Sequence, residues 1–219
     1  MTAAQKITRL ELFPVSEYVG VNRDDPIRFY NTPVFGRLYR WRVELCLAEL
    51  SGGERVLEVG FGSGVTFINL AAQYHEIHGL DLTADVAEIG AFFDRRGIKT
   101  DLRNGSVLEM PYEDHRFDSV LLISILEHLQ PADQMKAFTE ITRVLKPGGQ
   151  VVYGVPIERP LMVFFFRLLG YDIRLHHFST HEDVRQAAGK FLHPMRIVNM
   201  TGPFGLFGGI YQVGHFNKT

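Results

Sequence analysis

The chain has 219 residues, of which 46% are hydrophobic and 22% are charged, as in ordinary globular proteins. This composition excludes a disordered or fibrous chain, and the formal net charge of -2 argues against a nucleic-acid-binding protein with a strongly basic surface. The single cysteine, Cys46, excludes an intrachain disulfide and lies in an apolar helical stretch, so we interpret it as a core residue in a reducing compartment. The expected location is therefore the cytoplasm.

Neither a signal peptide nor a transmembrane segment is expected. The first residues are polar, and no apolar core with a cleavage site follows them. The most apolar run, Leu161–Leu169, is interrupted by Arg167 and is far shorter than the roughly 20 residues that cross a bilayer.

An irregular arm followed by a helix is predicted for the first 50 residues. Residues 1–33 have little periodicity and contain three prolines. Apolar residues then recur at helical spacing, which predicts a helix with one buried stripe. That stripe would consist of Phe35, Leu38, Trp41, Leu45 and Ala48.

Strands and helices alternate through the middle of the chain. The predicted strands are Arg55–Val59, Glu76–Leu80, Ile98–Arg103, Phe117–Ile123 and Gln150–Val155. Helices are expected at residues 65–74, after an N-cap at Thr83, and before Lys146. This alternation predicts an α/β fold with a doubly wound, mostly parallel sheet.

The C-terminal part of the chain follows a different pattern. Ser179 and Glu182 have the spacing of a capping box before a short helix. Two further strands, Met195–Met200 and Gly209–Phe216, have no helix between them and are expected to form an antiparallel hairpin.

A glycine-rich turn follows the first predicted strand. Gly60, Gly62 and Gly64 allow a tight turn and a close approach of a ligand to the main chain, beside the N–H groups of a helix N-terminus. Asp81 ends the second strand, where a carboxylate can accept hydrogen bonds from both hydroxyls of a ribose. Together these residues predict a site for a ribose-bearing cofactor.

The details of this turn favour an amino-acid-bearing nucleoside over a nicotinamide dinucleotide. In the dinucleotide fingerprint the third glycine would fall at Val65, whereas Gly64 comes one position earlier. Glu58 lies beside the turn, where a carboxylate would repel a pyrophosphate and attract an ammonium group.

Five segments in this order resemble the class I S-adenosylmethionine-dependent methyltransferase family. They are residues 56–64, 79–81, 104–120, 126–129 and 145–149, within a region of resemblance from about residue 55 to 156. The resemblance implies a Rossmann-like seven-stranded sheet with a reversed hairpin, and S-adenosylmethionine as cofactor. It also implies a set of cofactor-binding residues, namely Glu58, Gly60, Phe61, Gly62, Gly64, Asp81, Leu82, Ser106, Val107 and Ser124. Ser106 stands where the family often has an aspartate, so its contact to adenine would be weaker.

Catalysis in such a protein consists mainly of aligning the acceptor with the methyl carbon, and a base is needed only if the acceptor starts protonated. His128 is the first candidate, either as that base, as part of the methyl pocket, or as a residue that fixes its loop. His176 and His177 are alternatives on the substrate side. No metal site is predicted, because the histidines lack partners at ligand spacing.

We expect a single domain from residue 1 to 219, with residues 1–50 covering the cofactor site and a substrate-side insert at 157–194. Tyr30 or Arg37 could contact the methionyl carboxylate of the cofactor. The apolar run Leu161–Leu169 could line a lipophilic pocket, touch a membrane surface or fill the core. The expected partner is therefore a small, partly lipophilic molecule rather than a nucleic acid.

Two other functions stay open at this point. One is a nicotinamide-dependent oxidoreductase on a related sheet, which Val65 disfavours. The other is a catalytically silent subunit that keeps the cofactor pocket without transferring a methyl group.

Overall fold

The computed structural model describes residues 9–21, 25–33, 35–157, 178–201 and 209–219. Within them, one sheet has the strand order β3-β2-β1-β4-β5-β7-β6. The strands are β1 (Gly53–Val59), β2 (Tyr74–Asp81), β3 (Thr100–Asn104), β4 (Phe117–Ile123), β5 (Leu145–Pro156), β6 (His193–Met200) and β7 (Tyr211–Asn217). The first five strands are parallel, and β7 is antiparallel to both β5 and β6. The predicted α/β fold with a C-terminal hairpin is confirmed.

Five α-helices occur in the described residues. They are α1 (Phe35–Ala48), α2 (Phe67–Ala71), α3 (Val86–Asp94), α4 (Pro131–Val144) and α5 (His181–Ala188). Short 3-10 helices lie at Val15–Glu17, Pro26–Phe29 and Leu126–His128. None of these helices has the length and apolar character needed to span a membrane.

The position of β1 at the centre of the sheet determines where a ligand can bind. β1 pairs with β2 on one side and with β4 on the other, so the connections after β1 and β4 leave the sheet in opposite directions. In open α/β sheets this reversal opens a crevice at the carboxyl ends of the strands. The glycine-rich turn follows β1 and lies at that crevice.

The prediction for the buried face of α1 is wrong. Val43, Cys46 and Leu47 are buried, whereas Trp41 of the predicted stripe is 37% exposed. The helix carries apolar residues on two faces, and packing on β4, β5 and β7 selects the face that includes Cys46. Gly154 of β5 makes room there, because a Cβ at this position would lie 2.7 Å from Cys46 Sγ. The interpretation of Cys46 as a core residue is confirmed, and burial raises the pKa of its thiol.

Both predicted capping residues are displaced in the structure. Asp85, rather than Thr83, caps α3 by accepting a hydrogen bond of 2.9 Å from the Glu88 N–H. The Thr83 N–H is instead bound by the carboxylate of Asp81 at 2.9 Å. The side chain of Asp81 thus takes over the turn in which the cap was predicted.

The capping box of α5 lies one residue later than predicted. Thr180 and Asp183 form it reciprocally, in place of Ser179 and Glu182. The Ser179 hydroxyl is used elsewhere, since it donates a hydrogen bond of 2.7 Å to the Leu129 carbonyl.

The helix predicted at residues 65–74 is shorter, because Tyr74 begins β2 and its hydroxyl donates a hydrogen bond of 2.7 Å to Ser119 within the sheet. Leu161–Leu169, His176 and His177 lie outside the described residues. The single domain from 1 to 219 and the boundaries of its arm and insert stay predictions.

Candidate cofactor site

The glycine-rich turn leaves β1 in a conformation that favours glycine. Gly60 and Gly62 have φ angles of +72° and +51°, in the left-handed region. A side chain at Gly60 would overlap that of Ile125, and a Cβ at Gly62 would lie 3.0 Å from Asp25 Oδ2. The turn therefore forms a close-fitting cradle between the strand ends and the N-terminal arm.

Asp81 connects the end of β2 to this turn. Its Oδ2 accepts a hydrogen bond of 3.0 Å from the Gly62 N–H. Its Oδ1 accepts hydrogen bonds from the Thr83 and Ala84 N–H groups at 2.9 and 3.0 Å. A carboxylate has about four lone-pair positions, so Asp81 can hold the turn and still accept a hydrogen bond from a ligand hydroxyl.

Glu58, at the end of β1, is a buried carboxyl group that is only 3% exposed. Burial raises its pKa to about 8, the hydrogen bond donated by Thr66 Oγ1 opposes this rise, and the negative charge of Asp81 adds to it. Glu58 is therefore mostly protonated at neutral pH, and a cation beside it would favour its ionised form.

The N-terminal arm closes over the turn through Asp25. Its Oδ2 accepts a hydrogen bond of 2.9 Å from the Ser63 N–H, and its Oδ1 accepts one of 2.9 Å from the Ile27 N–H. Tyr30 follows on the same arm and is 3% exposed, and burial raises the pKa of its phenol. The arm thus contributes one carboxylate and one phenol at the turn.

Arg42 of α1 points into the same region. One guanidinium nitrogen, Nη1, donates a hydrogen bond of 3.2 Å to Ser124 Oγ, which is 3.0 Å from the Tyr211 hydroxyl. The guanidinium also lies 4.3 Å from the centre of the Tyr39 ring. Its Nε is buried and has no hydrogen-bond partner among the described residues. Arg42 therefore keeps a buried donor for which a ligand is the natural acceptor.

These groups surround a cavity of about 80 Å³ at the carboxyl edge of the sheet. Glu58 and Asp25 contribute acidic groups to its wall, and Arg42 contributes a basic one. A ligand that carries both an ammonium and a carboxylate would match this combination. Pockets for small molecules usually measure about 300–1,000 Å³, so this cavity has room for only part of a nucleoside cofactor.

The structure brings together part of the predicted cofactor-binding set. Glu58, Gly60, Phe61 and Gly62 line the cavity. Asp81 and Ser124 join them through their hydrogen bonds to Gly62 and Arg42.

The other predicted residues lie outside this cavity. Gly64 turns the chain above Phe67 and Phe93. Leu82, after β2, is 72% exposed, and Val107, in the segment after β3, is buried. Ser106 Oγ accepts a hydrogen bond of 3.1 Å from the Leu108 N–H. Their cofactor contacts stay predictions.

Of the described candidates for catalysis and for carboxylate binding, one lines the cavity and two do not. His128 is exposed at the end of the short helix after β4 and does not line the cavity. Of the two arm candidates, Tyr30 lines the cavity, whereas Arg37 is exposed and does not. In the part of the chain that the structure describes, no cluster of side chains could hold a metal ion.

Asp25 and Arg42 are the residues that sequence reasoning missed. Arg42 lies in a stretch with three other arginines, at positions 28, 37 and 40, and no periodicity distinguishes it from them. Asp25 stands before a proline, which is typical of a turn, and nothing in its neighbourhood points to the glycine turn 38 residues away.

Comparison with known proteins places this arrangement in a family. Residues 56–149, which run from β1 through the start of β5, match the family model of a methyltransferase domain. The chain belongs to the class I S-adenosylmethionine-dependent methyltransferase family. The resemblance inferred from the glycine turn and the four later segments is thereby confirmed.

Two curated relatives illustrate this membership. A ubiquinone biosynthesis O-methyltransferase from Aromatoleum aromaticum is 31% identical over 161 residues, which are 70% of this chain and 64% of the relative. A demethylmenaquinone methyltransferase from Bacillus cytotoxicus is 29% identical, over 60% of this chain and 56% of the relative. The chain therefore spans about three-fifths of the length of these relatives.

A fold relative is the N-methyltransferase NodS from Bradyrhizobium japonicum WM9, whose structure contains S-adenosyl-L-homocysteine. It superimposes with a TM-score of 0.68 at 18% identity, over 93% of this chain and 96% of NodS. At this identity the likeness supports the methyltransferase fold alone.

The residues of this methyltransferase-family chain fit S-adenosylmethionine. The buried Arg42 Nε, which has no partner among the described residues, suits a carboxylate oxygen. Glu58 suits an ammonium group, and the turn at Gly62 allows the close approach of a ligand. The acid–base pairing across the cavity thus matches the two charged groups of a methionine moiety.

Proposed function

We propose that this protein transfers a methyl group from S-adenosylmethionine to a small acceptor with a substantial apolar part. The observation that carries the proposal is the convergence of Glu58 and Arg42 on one cavity beside a glycine turn that Asp81 holds in place. This arrangement offers separate places for an ammonium, a carboxylate and a ribose. A pyrophosphate would gain nothing from Glu58, because a buried carboxyl group is ionised only beside a positive charge.

Each residue of the site has a defined task in this proposal. Arg42 binds the carboxylate of the methionine moiety, and its guanidinium is held by the hydrogen bond that it donates to the Ser124 hydroxyl. Glu58 receives the ammonium and becomes ionised. Asp81 accepts hydrogen bonds from the ribose while it holds the Gly62 N–H. When bound, the cofactor supplies a methyl group that is already electrophilic, so these residues contribute mainly alignment.

The apolar character of the acceptor rests on two arguments. The named relatives are a demethylmenaquinone methyltransferase and a ubiquinone biosynthesis O-methyltransferase, and both names refer to quinones. The sequence also carries the apolar run Leu161–Leu169, which follows β5 along the chain. A quinol or phenol with an apolar tail is the acceptor class that we propose.

His128 is the residue that we propose to accept the proton of such an acceptor. It is exposed a few residues beyond Ser124, at the carboxyl edge of β4. Replacement by Ala should lower kcat by roughly 10²–10⁴-fold for an acceptor that starts protonated. His75, an exposed histidine of β2, offers a matched control as His75→Ala. A role in fixing the loop would instead lower the melting temperature and leave the pH profile of kcat unchanged.

Two measurements test the proposed function. Calorimetry should show binding of S-adenosylmethionine and S-adenosylhomocysteine but not of NAD, and tighter binding of NAD would refute the proposal. A transfer assay with labelled cofactor should then label a quinol or phenol acceptor in preference to a polar amine. Binding without transfer to any component of a cell extract would identify a silent cofactor-binding subunit.

A further inference from the structure

Residues 26–43 have a composition that differs from the rest of the chain. This stretch contains four arginines and five aromatic residues and no aspartate or glutamate, although the chain as a whole has a net charge of -2. The cofactor site uses Tyr30 and Arg42 from this stretch. It leaves the other arginines and aromatic residues without an assigned role.

The unassigned residues include an outward face of α1. Val43, Cys46 and Leu47 direct the opposite face into the core. Arg37 and Trp41 are exposed and lie one turn apart, so they share the outward face. Leu38 and Leu45 flank Trp41 and are only partly buried. Both leucines pack against the core, so of these three apolar side chains only Trp41 is exposed.

A further arginine lies at the same end of α1. Arg28 is exposed, and its guanidinium is 5.1 Å from the centre of the Phe29 ring. The Phe29 ring stacks on Tyr39 of α1 at 5.5 Å. Within the described residues, neither Arg28 nor Arg37 forms an ion pair with a carboxylate. We refer to the exposed residues Arg28, Arg37 and Trp41 as the arginine–tryptophan surface.

Two carboxylates that flank this stretch in the sequence, those of Asp25 and Glu44, accept hydrogen bonds from main-chain N–H groups. Asp25 accepts hydrogen bonds from the Ser63 and Ile27 N–H groups inside the cofactor site. Glu44 accepts a hydrogen bond of 3.0 Å from the Leu10 N–H. The arginine–tryptophan surface therefore presents positive charge to solvent.

This surface borders the proposed active site. Arg42, one residue after Trp41, reaches Ser124 at the carboxyl end of β4. The middle of α1 therefore lies at the edge of the sheet where the cofactor and acceptor are expected. Whatever binds the arginine–tryptophan surface comes close to the opening of the site.

We propose that the arginine–tryptophan surface docks on a membrane that contains anionic lipids. Arginines are attracted to anionic headgroups, and tryptophan prefers the boundary between headgroups and acyl chains. Because α1 buries its apolar residues in the core and exposes Trp41 beside the arginines, it would lie along such a surface rather than enter it. The proposal deepens the proposed function, because an apolar acceptor dissolved in the bilayer would then be presented at the edge of the site.

Vesicle co-sedimentation tests the docking directly. The wild-type protein should bind vesicles of phosphatidylcholine with phosphatidylglycerol, should bind pure phosphatidylcholine vesicles much less, and should be released by high salt. Arg28→Gln and Arg37→Gln should each weaken binding by about fivefold. Trp41→Ala should weaken binding at both low and high salt, because its contribution does not depend on charge. Arg95→Gln and Met195→Ala replace an exposed arginine and an exposed methionine elsewhere and should have no effect.

Several results would overturn the docking proposal. These are equal binding to the two kinds of vesicle, no binding, and unchanged binding of the three surface variants whose melting temperatures match the wild type. Stronger binding to single-stranded nucleic acid than to anionic vesicles would identify a different polyanion as the partner.

A separate assay distinguishes this failure from failure of the proposed function. Methyl transfer to a water-soluble quinol analogue, measured without vesicles, should be the same in the wild type and in the surface variants. If no protein methylates the analogue while vesicle binding follows the predicted pattern, the acceptor assignment is wrong and the docking surface stands. If transfer occurs but vesicle binding does not, the docking proposal fails alone.

Discussion

The Asp25 carboxylate accepts a hydrogen bond of 2.9 Å from the main-chain N–H of Ser63. This contact joins the N-terminal arm to the glycine-rich turn across 38 residues of sequence. Because Asp25 is buried to 9% exposure, the bond is shielded from water and holds the arm over the cavity. The arm therefore forms part of the wall of the cavity in which Glu58 and Arg42 meet.

Removal of this contact should speed cofactor association. In Asp25→Ala the arm loses a charge-assisted hydrogen bond of about 1.5 kcal/mol, so the association rate of S-adenosylhomocysteine should rise roughly tenfold in stopped-flow fluorescence. Asp85→Ala removes a comparable capping carboxylate of α3, far from the turn, and should leave the rate unchanged. Slower association in Asp25→Ala would show that the contact supports the bound form instead of closing the free one.

The buried Glu58 should make the protein less stable as the pH rises. Burial raises its pKa from 4.5 to about 8, so the folded state holds the proton more tightly than the unfolded chain. The stabilisation by this group is fully present below about pH 4.5 and is lost as the pH rises through about 8. The free energy of unfolding should thus fall between these values, by at most about 1.4 kcal/mol per pH unit.

Urea unfolding of Glu58→Gln at pH 5, 6, 7 and 8 checks this prediction. The variant should show a flatter pH dependence than the wild type, whereas Glu113→Gln, which removes an exposed carboxylate, should follow the wild type. Parallel curves for the wild type and Glu58→Gln would mean that Glu58 is already ionised in the folded protein.

Cofactor binding should release a proton from the same group. Glu58 is mostly protonated at pH 7, and an adjacent ammonium would favour its ionised form. Calorimetric binding enthalpies should therefore differ between phosphate and Tris buffers, by an amount that corresponds to as much as about one proton. Glu58→Gln should abolish that difference. A wild-type enthalpy independent of the buffer would place the ammonium away from Glu58.

Asp81 should affect both binding and stability. Its carboxylate accepts hydrogen bonds from Gly62, Thr83 and Ala84, so Asp81→Ala leaves three main-chain donors to water. We expect a loss of about 1–3 kcal/mol in the free energy of unfolding, together with roughly 10–100-fold weaker cofactor binding. Asp81→Asn keeps one acceptor oxygen and should recover part of the stability. Equal stability of the two variants would show that these hydrogen bonds contribute little.

Arg42 should recognise the carboxylate of the cofactor specifically. Arg42→Gln should weaken S-adenosylhomocysteine binding by roughly 10–100-fold, as expected when a charge-assisted hydrogen bond is lost. An analogue without the α-carboxylate should bind the wild type and the variant equally. Arg37→Gln, on the outward face of the same helix, should bind both ligands as the wild type does. If Arg42→Gln weakens both ligands equally, Arg42 acts on the shape of the cavity and not on the carboxylate.

The sequence by itself determined the order of the elements and the main features of the cofactor site. Glycines at positions 60 and 62 follow a buried strand, and Asp81 ends the next one. These are local patterns that depend on backbone geometry and on the alternation of strands and helices along the chain, so they can be recognised without knowledge of the fold. The same patterns placed Glu58 beside the turn, but they could not show that burial would leave it protonated.

Only the tertiary structure decided which residues meet at that turn. Arg42 and Ser124 are distant in sequence and meet because α1 packs on β4, β5 and β7, whereas Asp25 reaches the turn by accepting a hydrogen bond from the Ser63 N–H. The sequence likewise could not predict which face of α1 is buried, since both faces of the helix carry apolar residues and the sheet covers only one of them. Contacts between distant segments depend on packing of whole elements, which no short stretch of sequence encodes.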